Sequence, residues 1–160
     1  MEEILTVKAY DGFVSIRAGA IIQKNGKLLM TGSVDTPFYY SVGGRVNFGE
    51  TAAEAVVREV FEETGCKMEV ERLGFVHENY FEGDSAATLG KPVYEICFYF
   101  YMKVPDGFEP VCDSINANGT GEFLKWIEID TPEKYYPEFF REELKNSCDS
   151  VKHIVTNELR

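Results

Sequence analysis

Residues 51–64, TAAEAVVREVFEET, constrain the fold of this chain more than any other stretch. Thr51 with Glu54 three places on is a capping-box pattern, and Gly65 stands where a left-handed cap would end a helix. At about 100° per residue, Glu62 falls roughly 60° to one side of Glu59 and Glu63 about 40° to the other, so three carboxylates share one narrow face. Ala53, Val56, Val57 and Val60 form the apolar arc directly beside it, which puts the acids at the rim of a core. Like charges four residues apart repel, and acids in the last helical turns oppose the helix dipole, each effect costing about 0.2–1 kcal/mol. Arg58 supplies one positive charge, within reach of Glu54 or Glu62, and one guanidinium does not neutralise three carboxylates. A hard divalent cation with oxygen ligands does, and Mg²⁺ is the common choice where a substrate brings phosphates of its own.

The rest of the chain fits one domain, residues 1–160, large enough to bury a core without a metal or disulfide staple. Sixteen Lys plus Arg against 27 Asp plus Glu give a net charge of −11. With no basic cluster to release counterions from a phosphate backbone, the composition argues against nucleic-acid binding as the main activity. The acidic start, MEEILTVKAY, has no apolar stretch of signal length, and no run of about 18 apolar residues occurs, which argues against membrane attachment and for a cytoplasmic protein. Cys66, Cys97, Cys112 and Cys148 form no CxxC pair, and with only His77 and His153 present a His-rich metal site is poorly supported.

Strands are expected at 12–24 and 27–31, joined by the hairpin dipeptide Asn25-Gly26, and the aromatic stretch 37–42 runs into Gly43-Gly44. After the helix, 67–80 and 92–104 read as sheet strands, with 82–91 a surface loop between them. A Pro-, Gly- and Asn-rich loop at 105–120 precedes a strand at 121–129, and 132–146 reads as a helix with Pro137 starting a new turn. The last residues add a short terminal element. Strands mixed with two helices indicate an α/β or α+β sandwich.

From Gly44 to Cys66 the chain reads GRVNFGETAAEAVVREVFEETGC. It resembles the Nudix hydrolase signature, G-x5-E-x7-R-E-U-x-E-E-x-G-U with U aliphatic, at every fixed position. Cys66 stands where Ile, Leu or Val is usual, a small change because Cys is also a small buried hydrophobe. The setting is similar too, with a hairpin before the box, a sheet after it and a Trp-containing strand, KWIEID, near the end. Val42 departs from the Pro that often precedes the Gly-Gly pair, a change expected to stay within the loop.

The resemblance implies an α/β/α sandwich with a mixed central sheet and a hydrolase that cleaves the pyrophosphate linkage of a nucleoside diphosphate joined to another moiety. It implies Glu59 and Glu63 as metal ligands, Glu62 as a third ligand or close neighbour, and the carbonyl of Gly43 or Gly44 completing a Mg²⁺ site, with Mn²⁺ as the alternative ion. Arg58 and Glu50 would orient those acids. The general base comes either from the box or from a later carboxylate; Glu122 is the first outside candidate and Glu95 the second. Arg17 is a candidate for bidentate contact with substrate phosphate, against pairing with a nearby acid. Tyr40 and Tyr80, with Phe38, Tyr39 and Phe81, are candidates for stacking on a base, against a core role. His77 shows no partner in the sequence. The competing function is a regulatory module that binds a nucleotide sugar without turnover, and the expected partner is a small-molecule nucleoside diphosphate. Dimers are common among such proteins, and the Tyr- and Phe-rich strands leave room for a homodimer interface.

Overall fold

Helix α1, Ala52–Thr64, begins and ends where its caps dictate in the computed structural model, which describes residues 5–112, 121–146 and 148–159. The Glu54 N–H donates to the Thr51 hydroxyl at 3.1 Å, and the Thr51 N–H donates back to the Glu54 carboxylate at 2.7 Å. Two of the amide groups that a helix start leaves unpaired are thereby satisfied. Gly65 closes the other end at φ 73°, its N–H bonded to the carbonyl of Phe61. A side chain at that φ would be strained, which is the reason for glycine there.

The strands build two sheets. β1 (Thr6–Ala9), β2 (Gly12–Ile21), β6 (Gly43–Arg45), β7 (Glu69–Glu82), β8 (Pro92–Lys103) and β11 (Lys152–Asn157) form the larger, in the order β1-β2-β8-β7-β11 with β6 also beside β2. It is mixed, because β2 runs parallel to β8 and β7 parallel to β11, while the other pairs are antiparallel. The second sheet holds β3 (Gln23–Lys24), β4 (Lys27–Ser33), β5 (Tyr39–Ser41), β9 (Glu122–Glu128) and β10 (Tyr135–Tyr136).

The expected strand 12–24 is thus divided, its first part in one sheet and its last two residues in the other. Residues 18–22, AGAII, are buried throughout, so their apolar run carries no mark of where the chain changes sheets. The Asn25-Gly26 turn does form the β3–β4 hairpin, both residues having positive φ.

Alternation along β2 and β8 sorts the core. Ala18, Ala20, Phe100 and Met102 pack with Val56 and Val60 of α1 on one face. Ile21, Cys97 and Tyr99 point the other way, toward Leu28, Met30, Tyr135 and the fully buried Phe140. Helix α1 therefore covers one face of the mixed sheet and helix α2, Phe140–Glu143, the other, while the second sheet reaches both clusters, with Leu29 and Leu124 on the α1 side and Leu28, Met30 and Ile127 on the α2 side. An α/β sandwich results, as expected.

The helix expected over 132–146 is corrected: only 140–143 is α-helical, and Tyr135–Tyr136 pairs in parallel with Tyr39–Tyr40 instead. Pro137 disfavours helical backbone at the residue before it, so Tyr136 is available for the sheet. Of the loop expected at 105–120, residues 113–120 lie outside the described residues.

Candidate active site

Where β6 passes beside β2, two glycines bring α1 close to the sheet. A Cβ on Gly43, whose φ is 152°, would meet the Ala18 carbonyl at 2.3 Å, and one on Gly44 would strike the Glu59 carboxylate at 2.4 Å. The missing side chains leave a hollow that the last two turns of the helix fill with acids.

Glu63 is the innermost. The hydroxyl of Thr31 on β4 donates to its Oε2 at 2.8 Å, and the Gly43 N–H donates to its Oε1 at 3.2 Å. Burial, opposed by those two hydrogen bonds and reinforced by the charges of Glu59 and Glu122, pushes its pKa up to about 8. Burial likewise raises that of Glu59, against the pull of Arg58. Glu62 stands at the outer edge, its side chain 50% exposed.

Arg58 is the clamp. It grips Glu50 through Nη2 at 2.6 Å and Nε at 3.1 Å, reaches Glu59 through Nη1 at 2.7 Å, and donates to the Arg45 carbonyl at 3.1 Å. That forked grip is the geometry in which Arg differs from Lys. The Arg58 hydrogen bonds hold the Glu50 carboxyl below its usual range, and the Asn47 N–H adds a further bond at 2.7 Å.

Glu122, the first residue of β9, joins this group through Tyr40, whose hydroxyl donates to it at 3.1 Å. Tyr40 and Thr31 are register partners on β5 and β4, so adjacent strands carry the donors for Glu122 and Glu63. Burial, then the charge and hydrogen bond of Glu122, raise the Tyr40 pKa.

The acids gather around the glycine hollow without a completed cage. Among the described residues, no three His, Cys, Asp or Glu side chains are arranged to hold a metal ion. Glu59 is turned to Arg58, and Glu63 to Thr31 and Gly43. The donor set still fits a hard divalent cation, because Glu63 is buried with two other carboxylates acting on it and every available ligand is oxygen.

Arg17, Glu95 and Tyr99 stand on the opposite face of the sheet from α1 and line a cavity of about 450 Å³ together with His77, Asn79, Tyr136 and Phe139. A smaller annex shares Arg17, Glu95 and Tyr99 and leads to Tyr40. Arg17 lies in the field of Glu95 and Glu63, yet no residue among those described hydrogen-bonds or ion-pairs with its guanidinium. Glu95 and Arg17 are each the strongest charge acting on the other, so the pairing account of Arg17 keeps an electrostatic basis without a direct bond.

Two expectations change. Tyr80 is turned away from this cavity: it is 40% exposed and packs on Tyr94 at 4.7 Å, while the adjacent Phe81 lines the cavity, because successive strand residues face opposite sides. His77 does have a partner, its Nε2 lying 2.8 Å from the Thr156 hydroxyl, and burial lowers its pKa to about 4. Glu95 is on a central strand, between β2 and β7, where Arg17 and Arg45 partly offset the cost of its burial. Thr31, Asn79 and Thr156 were not singled out from the sequence. Each is an ordinary polar residue in a strand, and only the pairing of distant strands brings it to the site.

A helix ending in paired acids, set against a glycine turn at the edge of a mixed sheet, defines a class of α/β scaffolds built to gather carboxylates beside a cleft. The model of the NUDIX domain matches residues 14–146, and the chain belongs to the Nudix family. It is 36% identical over 66 residues to a MutT-like protein of Streptomyces ambofaciens, covering 41% of this chain and 43% of that one. It is 40% identical over 62 residues to an ADP-ribose pyrophosphatase of Methanocaldococcus jannaschii, covering 37% of each. The alignments thus span less than half the length of these curated relatives. A mutator MutT protein from Bacillus halodurans has a similar fold, with a TM-score of 0.64 at 20% identity over 90% of this chain and 91% of that one. No helix among the described residues is long and apolar enough to cross a membrane.

Proposed function

We propose that this protein is a divalent-metal-dependent hydrolase that cleaves the pyrophosphate linkage of a nucleoside diphosphate derivative, NDP-X plus water giving NMP and P-X. The observation that carries this reading is the gathering of Glu59 and Glu63 at the glycine hollow, with Glu122 close enough for its charge to act on Glu63. The similarity to an ADP-ribose pyrophosphatase supports the choice of bond.

Glu59, Glu62 and Glu63, with a carbonyl of Gly43 or Gly44, would hold Mg²⁺, and Mn²⁺ suits the same oxygen donors. When bound, the ion supplies charge neutralisation at the phosphoryl oxygens and a lowered pKa for a coordinated water. Arg58 holds Glu59 and Glu50 in place through its hydrogen bonds. Glu122 accepts the proton of the attacking water, with Tyr40 holding one of its oxygens. Arg17, with its donors unused, binds phosphate.

The test is a panel of ADP-ribose, nucleotide sugars, dinucleotide polyphosphates and oxidised nucleoside triphosphates, each incubated with Mg²⁺ or Mn²⁺ and its products identified. Metal-dependent release of a nucleoside monophosphate is expected. Binding without turnover across the panel would replace this reading with a regulatory module.

A further inference from the structure

The cavity on the far side of the mixed sheet carries hydrogen-bonding groups that the chain itself leaves unused. Strand register places them. Asn79 on β7 is directly opposite Glu95 on β8, and Thr156 on β11 is directly opposite Asn79. Directly opposed residues have Cβ atoms about 4.5–5.5 Å apart, so the side chains form one row across three strands.

Within that row the bonding order is determined. The Thr156 hydroxyl donates its one proton to Asn79 Oδ1 at 2.6 Å, so the 2.8 Å contact with His77 requires His77 Nε2 to be the donor. Asn79 Oδ1 is occupied, and its amide N–H₂ is left to donate into the cavity. No donor among the described residues bonds to Glu95, although Glu95 lines both the cavity and its annex. Unpaired polar groups beside a cavity with aromatic walls are the signature of a site that awaits a polar, planar ligand. Phe38, Tyr136 and Phe139 supply those walls.

Resting on the hydrolase reading above, we propose that this cavity takes the base of the nucleoside substrate and selects a guanine-type edge through the Glu95 carboxylate and the Asn79 amide. Guanine presents two adjacent N–H donors beside a carbonyl. The donors match the two oxygens of Glu95, and the carbonyl matches the Asn79 N–H₂. Adenine offers a single donor edge and leaves one oxygen of Glu95 desolvated without a partner; uracil offers one N–H flanked by two carbonyls and turns an acceptor toward the carboxylate. Leaving a buried charged acceptor unmatched is what discriminates. Thr156 is a positioning residue: by occupying Asn79 Oδ1 it decides which end of the amide faces the ligand.

The experiment is calorimetric titration of the full chain with GMP, IMP, AMP and UMP, none of which has a phosphoanhydride bond to cleave. GMP is expected to bind at least about tenfold more tightly than the other three, IMP lacking only the second donor. Glu95→Gln should erase the difference between GMP and IMP, and Thr156→Val should narrow that between GMP and UMP, with melting curves checking that both variants fold. AMP or UMP binding as tightly as GMP overturns the proposal, as does an unchanged GMP preference in folded Glu95→Gln. The ranking in the unsubstituted protein is decisive even if both variants fail to fold. Turnover of the substrate panel with no GMP preference would refute base selection here and leave the hydrolase intact. GMP selectivity without any turnover would refute the hydrolase and leave the pocket.

Discussion

The carboxylate cluster and the cavity row lie on opposite sides of one sheet and are assembled in opposite ways. In the first, Arg58, Glu59, Glu62 and Glu63 come from two helical turns, and Arg58, Thr31 and Gly43 already engage the inner acids. In the second, Arg17, Asn79, Glu95 and Thr156 come from four strands, and Glu95 and Arg17 keep their bonding capacity. The cluster is dense in like charge and held by its own chain; the row is sparse and open. Groups that the chain restrains against repulsion suit a cation, and groups that it leaves unpaired suit a ligand with matching donors and acceptors.

The largest effect expected is in the cluster. Glu63→Gln should lower turnover by on the order of 10²-fold or more while the fold survives, since charge is removed without a change of shape. Unaltered turnover at saturating Mg²⁺ would remove Glu63 from the site.

Next comes the contrast between two carboxylates outside the box. Glu122→Gln should reduce kcat by about 10²-fold, as loss of a general base does. Glu95→Gln should act mainly on KM and on discrimination among bases. Steady-state kinetics on one substrate separates them, and the reverse pattern would exchange their roles.

Gly43→Ala should destabilise by roughly 1–3 kcal/mol, because its Cβ meets the Ala18 backbone carbonyl at 2.3 Å, which cannot swing aside as a side chain can. Chemical denaturation measures it, and a neutral result would mean that the hollow is not close-packed.

A smaller effect concerns pH. Glu63 has a folded-state pKa raised above its unfolded value, so the folded protein holds its proton more tightly. Without divalent cations, its contribution should make stability fall as pH rises from about 4.5 to about 8. Glu63→Gln should flatten that part of the profile, and millimolar Mg²⁺ should raise Tm most at the alkaline end. Melting temperatures across pH, with and without chelator, test both statements.

Much of the cluster was legible in the chain because helical geometry is local. Thr51, Glu54 and Gly65 mark the ends of α1, and a turn of fixed pitch sets which acids share a face. Pro137 was legible as a break, but its consequence was misread: the residues before it, Tyr135 and Tyr136, joined a sheet through partners nearly a hundred positions earlier. Tyr80 and Phe81 are both aromatic and adjacent, and nothing in their order tells which side of β7 meets the cavity.

From the sequence alone followed the caps of α1, the shared face of Glu59, Glu62 and Glu63, and the need for a compensating charge, since each depends on interactions within a few residues. Tertiary structure decided that Glu122 reaches the cluster through Tyr40, that Tyr80 turns away, and that His77, Thr156, Asn79 and Glu95 share a cavity. Strand pairing joins residues as far apart as 77 and 156, and its register is set by burial over the whole sheet rather than by neighbouring residues.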